Sequence, residues 1–166
     1  AGVPEWIQPI FSSSLSLSTM SVVMLNIIFR IGIAAKKTLN LTPVMESGQG
    51  IYEFMDTCGR EWGARPEIID RATRIIKESF EACVTARLAE NDIRVDIAFE
   101  EFNLDIVFSY DGRPLDFSAE KPTAEELLAD DAALARLSTA IIRRTADRMS
   151  CEEKQGKTTL RFHLDH

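Results

Sequence analysis

Histidine and cysteine are both scarce in this chain, with two and three among 166 residues. His163 and His166 stand three apart; in a strand that spacing turns the side chains to opposite faces, so no histidine metal pair is expected. Cys58, Cys83 and Cys151 are odd in number and far apart. That excludes the close pairs of zinc and redox motifs and fits reduced thiols in the cytoplasm. Positive charge is short as well, with 19 Lys and Arg against 26 Asp and Glu and a formal charge of −7. A phosphate backbone demands a concentrated basic surface, and here the basic residues are interspersed with carboxylates, so a nucleic-acid partner is excluded. No internal repeat breaks the chain into like units, and its length suits one domain plus an extension.

Charge is missing altogether from Trp6 to Phe29, after which Arg30, Lys36 and Lys37 arrive with no acid nearby in the sequence. Ile10 to Phe29 has the roughly 20 residues needed to cross a bilayer. Six of these are serine, which suits a helix packed inside a transporter bundle better than a lone lipid-facing anchor. A basic flank after the apolar run places the chain beyond Arg30 in the cytoplasm, on the wrong side for a signal peptide. The alternative is a buried or subunit-contact helix of a soluble protein. Residues 1–35 are accordingly read as a membrane-like segment, 36–49 as a linker containing Pro43, Gly48 and Gly50 at its margin, and 50–166 as a domain.

Within that domain a helix is expected from Ile51 to Trp62, ended by Gly63. A longer one should start at Pro66, with Ile68, Ile69, Ala72, Ile75, Ile76, Phe80, Cys83, Val84 and Leu88 at helical spacing. The period then changes to two. Ile93, Val95, Ile97 and Phe99, then Phe102, Leu104, Ile106, Phe108 and Tyr110, describe an antiparallel hairpin with one buried face. The stretch "KPTAEELLADD" is polar and reads as a mobile surface segment. Leu134, Leu137, Ile141, Thr145 and Met149 mark another amphipathic helix, and the segments 149–153 and 158–164 flank a turn at Gln155-Gly156. Helices and hairpins in this order predict an α+β fold, a two-layer sandwich of helices on a mostly antiparallel sheet.

From Ile51 onward the chain resembles the histidine-kinase-like ATPase superfamily (GHKL), nearest the anti-sigma-factor serine kinases of bacteria. "FMDTCGREWGARPEIIDRATRIIKESFEACVTARL" is similar to their first two helices, "YDGRPLDF" to their first glycine loop, and "IIRRTADRMSCEEKQGKTTLRFHL" to their last helix and hairpin. The resemblance implies an ATP and magnesium site. Its glutamate place falls on Glu78, and the magnesium-binding asparagine place, four residues on, falls on Ala82, whose methyl group cannot ligate the ion. The adenine-binding aspartate place falls on Tyr110, two before Gly112; a neutral, bulky phenol is a poor substitute. Asp111 stands one position late. The lid glycines fall on Arg136 and Ser138, whose side chains obstruct close approach to phosphate. Three of four elements are altered, so the resemblance implies a degenerate site, with neither ATP nor magnesium expected as a working cofactor. Glu78 is the one candidate for catalysis, and a solvated helix carboxylate is its ordinary role.

The first thirty residues are similar to the last transmembrane helix of bacterial xanthine/uracil permeases, with Pro9, Phe11, Ser12, Ser13, Leu25 and Asn26 in the matching places. Together the two resemblances imply a regulatory or interaction domain on the cytoplasmic side of a bacterial inner-membrane nucleobase transporter, held to the rest of it through residues 1–35. A protein partner and a homo-oligomer are expected. The other reading is an active ATP-dependent protein-serine kinase of the anti-sigma type.

Overall fold

The structure is a computed structural model of the chain, and it describes residues 14–30, 34–100, 102–117, 122, 123, 126 and 131–165. It separates into two compact units, Ala1–Ala34 and Ala35–His166.

The first unit contains helix α1, Ser14–Arg30. Its side chains are exposed from Ser14 through Ile27, including Leu15, Met20, Val22 and Met24. The hydroxyls of Ser18 and Thr19 donate to the carbonyls of Ser14 and Leu15, at 2.8 and 2.9 Å. Each hydroxyl is thereby satisfied within its own helix. Among the described residues no helix is long and apolar enough to cross a membrane. The described helix has 17 residues, and the start of the expected span, 10–13, lies outside the described residues.

The second unit is a five-stranded antiparallel sheet in the order β1-β2-β3-β5-β4. Its strands are β1 (Ala35–Leu41), β2 (Ile93–Phe99), β3 (Asn103–Asp111), β4 (Arg148–Lys154) and β5 (Lys157–Asp165). Alternation does what period two requires. Ile93, Val95, Ile97, Leu104, Ile106, Phe108, Tyr110, Leu160, Phe162 and Leu164 are buried on one face, while Asp96, Asp105, Arg161 and His163 take the other. Helices α2 (Gly50–Trp62), α3 (Pro66–Thr85) and α4 (Asp131–Thr145) supply the other half of the core. Gly63 closes α2 in the left-handed conformation at φ 64, and Pro66 opens α3 in its first turn. Trp62 stacks on Phe99 with ring centroids 5.5 Å apart.

Of the stretch 36–49, read as a linker, residues 36–41 are instead part of the sheet, with β1 paired to β2 from Ala35↔Phe99 to Leu41↔Ile93, and Met45–Gln49 forms a 3-10 turn before α2. Only Leu39 and Leu41 are large and apolar in β1, an edge strand that needs just one half-buried face. Lys37 lies in this strand, paired with Glu61 at 2.8 Å, so two of the three basic residues that flanked the apolar run belong to the sheet. Phe102, expected to be buried, is 73 % exposed just before β3 begins. The stripe on α4 is also turned: Leu134 is exposed, while Ala133, Ser138, Thr139 and Ile142 are buried. Small side chains let α4 lie close to α3. Met149 belongs to β4, as do Glu152 to Lys154. Most of the segment 118–130 and His166 lie outside the described residues.

Arg71 joins α3 to the end of α4. Its guanidinium donates to the Thr145 carbonyl at 2.7 and 3.3 Å and to Asp147 Oδ2 at 2.9 Å, and the same carboxylate oxygen accepts the Asp165 N–H at 2.9 Å. A cation on the last carbonyls of a helix satisfies orphan acceptors. Partial burial acts to raise the Asp147 pKa, but the Asp165 N–H and Arg71 outweigh it and hold the carboxyl below its usual range. Arg71→Ala should cost about 1–2 kcal/mol, the lower part of the range for charge-assisted bonds because the pair is one-third exposed. A depressed acid contributes stability above its unfolded pKa and loses it as pH falls through the folded one. The difference in melting temperature between Arg71→Ala and the parent should therefore shrink below about pH 4.

Candidate nucleotide site

Glu78 and Ala82 lie one turn apart on α3; Glu78 is half-buried and Ala82 fully buried. Tyr110, near the end of β3, follows the alternation of Leu104, Ile106 and Phe108 and so points under the helices. It is 1 % exposed, edge-on to Phe108 at 6.0 Å, and its hydroxyl donates to the Arg113 carbonyl at 2.9 Å. Burial, then the neighbouring Cys83, pushes the phenol far above its usual pKa. Burial likewise pushes the Cys83 thiol up to about 12, against a hydrogen bond with Tyr110. Both groups stay protonated, and neither is a nucleophile at neutral pH. Tyr110→Phe should cost about 1–2 kcal/mol, since it strands the Arg113 carbonyl; chemical denaturation would measure it as a lower midpoint at unchanged slope.

The loop after β3 is held by its backbone. Gly112 has φ 138; its N–H donates to the Gly156 carbonyl at 2.8 Å, and its carbonyl accepts the Thr158 hydroxyl at 2.8 Å. A Cβ at this position would collide with the Leu88 carbonyl oxygen. The neighbouring Asp111 has its carbonyl bonded to the Glu90 N–H and its carboxylate to Asn91 Nδ2, at 2.8 and 3.2 Å. Thus Asp111 serves the 89–91 turn.

Arg136 is half-buried on α4 and faces Glu126 at 3.7 Å. Glu126 Oε2 accepts the Thr123 N–H at 2.8 Å, and the Glu126 N–H returns to the Thr123 hydroxyl at 3.4 Å. This is a capping box; the Thr123 N–H, then Arg136, overcomes partial desolvation and lowers the Glu126 pKa. Ser138 is buried two residues beyond Arg136.

A cavity of about 200 Å³ lies between the end of α3, the glycine loop and α4, walled by Ala86, Leu88, Pro114, Leu115, Arg136 and Thr139 among others. Of the seven candidate positions, Arg136 alone is in its wall. Ligand sites ordinarily enclose roughly 300–1,000 Å³. The open face of the sheet carries a cluster that sequence reasoning missed. His163 Nδ1 is 2.6 Å from Asp105 Oδ1 and its Nε2 3.2 Å from Asp165 Oδ1, beside a depression of about 400 Å³ lined by Arg148, Ser150 and Arg161. Only the β3–β5 register brings Asp105 opposite His163. Among the described residues no group of three His, Cys, Asp or Glu side chains could hold a metal.

No family model and no curated protein matches the chain. Solved structures do. The crystal structure of the RsbU and RsbW domains of Rv1364c from Mycobacterium tuberculosis aligns with a TM-score of 0.55 at 14 % identity, over 78 % of this chain and 31 % of that one. The SiaB–SiaC complex from Pseudomonas aeruginosa aligns at 0.51 and 14 % identity, over 89 % of this chain and 99 % of that one. The fold is that of the histidine-kinase-like ATPases. At this identity the likeness carries the fold alone, and the chain spans about a third of the length of the first structure it matches.

Proposed function

We propose that residues 35–166 form a regulatory interaction module on the histidine-kinase-like fold, with a nucleotide site too altered to bind or hydrolyse ATP. We propose further that it is the cytoplasmic C-terminal domain of a xanthine/uracil permease-like transporter of the bacterial inner membrane. The observation that carries the first part is Tyr110: the residue in the adenine-reading place is buried with its hydroxyl bonded internally. Ala82 offers magnesium no oxygen, and Arg136 and Ser138 replace the glycines that a phosphate needs near it. A protein partner fits a fold also present in SiaB, which is seen in complex with SiaC. The membrane half rests on the uncharged run 6–29, on the permease-like places of Phe11, Ser12, Ser13, Leu25 and Asn26, and on the hydroxyls of Ser18 and Thr19 bonded back to their own helix.

The second reading is an active protein-serine kinase, favoured by Glu78, half-buried in the family's glutamate place. Calorimetric titration with magnesium-ATP separates the two. The expected result is no heat of binding stronger than a Kd of about 1 mM. Micromolar binding that vanishes in Tyr110→Ala would overturn the degenerate-site reading and leave the kinase. Independently, a reading frame with many apolar spans upstream of Ala1 supports the transporter context, and its absence removes that context without touching the nucleotide result.

A further inference from the structure

We infer that β4 is a homodimer interface, through which two copies of this chain join edge to edge into one ten-stranded antiparallel sheet with Ser150 on the two-fold axis. Among the described residues β4 ends the sheet, paired to β5 on one side only. The two-residue turn at Gln155-Gly156, both at positive φ, sets Lys154 opposite Lys157. In such a hairpin the flanking pair is hydrogen-bonded, so Ser150 and Glu152 turn their amides toward β5, whereas Met149, Cys151 and Glu153 turn theirs outward. That outward row is a strand template.

The side chains say which strand fits it. A two-fold axis perpendicular to the sheet keeps the helix side of one copy next to the helix side of the other, so the two strands can shift only in steps that preserve the alternation. Centred on Ser150, the pairing sets Arg148 opposite Glu152 twice on the open face, and Met149 opposite Cys151 twice on the helix face. The outward amides of Met149 and Cys151 then meet each other's carbonyls. Centred on Cys151, Arg148 would face Lys154; centred on Glu152, that carboxylate would face itself. Opposite charges across a strand pair stabilise it and like charges oppose it. The present partners are weakly held: Arg148 reaches Asp165 only at 3.6 Å with both side chains largely exposed, and Glu152 bonds to Lys154 of its own strand. β1, the other edge, contains two lysines and no acid, so no register of it against itself forms an ion pair.

The test uses the full chain, since any association through Ser14–Arg30 is common to every variant. In a Cys151→Ser background, Ser150→Cys should be trapped as a covalent dimer by copper–phenanthroline, and Thr38→Cys on the β1 edge should not. Adding Arg148→Glu or Glu152→Arg to the Ser150→Cys chain should cut the trapped fraction by about tenfold each. Mixing those two single-charge variants should restore it as a heterodimer, because each copy then meets its complement at both ends. Trapping that ignores the charges, mixing that restores nothing, or trapping of the unaltered chain through its own Cys151 in preference to position 150 would each overturn the inference. So would a full chain that stays monomeric and binds a foreign strand at this edge.

Discussion

Gly112→Ala should leave the chain without a cooperative thermal transition. Three costs fall on one residue. At φ 138 the backbone is in a region that L-residues populate only under strain, of order 1–3 kcal/mol. The added methyl meets the Leu88 carbonyl oxygen, which is backbone and cannot swing aside. Moving the loop to relieve that contact would break the bonds that Gly112 makes to Gly156 and Thr158, at about 1 kcal/mol or more each. A total above roughly 4 kcal/mol is in the exceptional range for a point substitution and is comparable with the whole stability of many domains. Gly156→Ala is the matched control. Its φ is also positive, at 79, but nothing lies within 4 Å of the added atom, so the left-handed penalty of about 1–2 kcal/mol stands alone. Circular dichroism on both variants gives the comparison: a small shift in Gly156→Ala and a lost transition in Gly112→Ala. Equal small shifts would mean that the contact with Leu88 is not what holds the loop.

Removing residues 1–34 should leave a cooperatively folded domain, whereas removing residues 1–41 should not. The difference is β1. Deleting it exposes the β2 edge along seven paired positions, withdraws Leu41 and Leu39 from the core, and frees Asp96 from the Thr38 hydroxyl that donates to it at 2.6 Å. Loss of the buried Leu41 alone amounts to about 2–5 kcal/mol by the usual cost of emptying a core site, and the half-buried Leu39 adds less. Guanidinium titration would show one sigmoidal transition for the shorter deletion and a broad drift without a defined midpoint for the longer one. Equal midpoints would return 36–41 to the status of a linker.

β1 also shows where sequence reading runs out. β2, β3, α2 and α3 could be read directly, since their apolar residues repeat without interruption and one face of each is buried. In "AKKTLNL" the inward positions are Ala35, Lys37, Leu39 and Leu41. A lysine can occupy such a place because its stem lies along the sheet while its amine reaches Glu61. On α4 the signal misled in the opposite sense: Leu134 looked like core, yet the face against α3 is built from Ala133, Ser138, Thr139 and Ile142. At the candidate site the direction of Tyr110 was implicit in its alternation with Phe108. The tightness around Gly112 was not, because it depends on Leu88, which is distant in sequence and reaches the loop through a backbone atom. The His163 cluster depended on strand register, which no single strand contains.

The strand order has a consequence for the chain as it is made. β3 lies between β2 and β5, yet its second neighbour is encoded about 45 residues downstream, where Lys157 pairs with Asp111. At translation rates of about 5–20 residues per second, β3 spends roughly 2–10 s with Leu104, Ile106 and Phe108 in place and one whole edge unpaired. β4 emerges first and has nothing to join until β5 arrives and inserts between the two. The sheet is therefore closed by a late insertion into its middle, and in that interval the nascent chain is most exposed to chaperones and to the wrong strand.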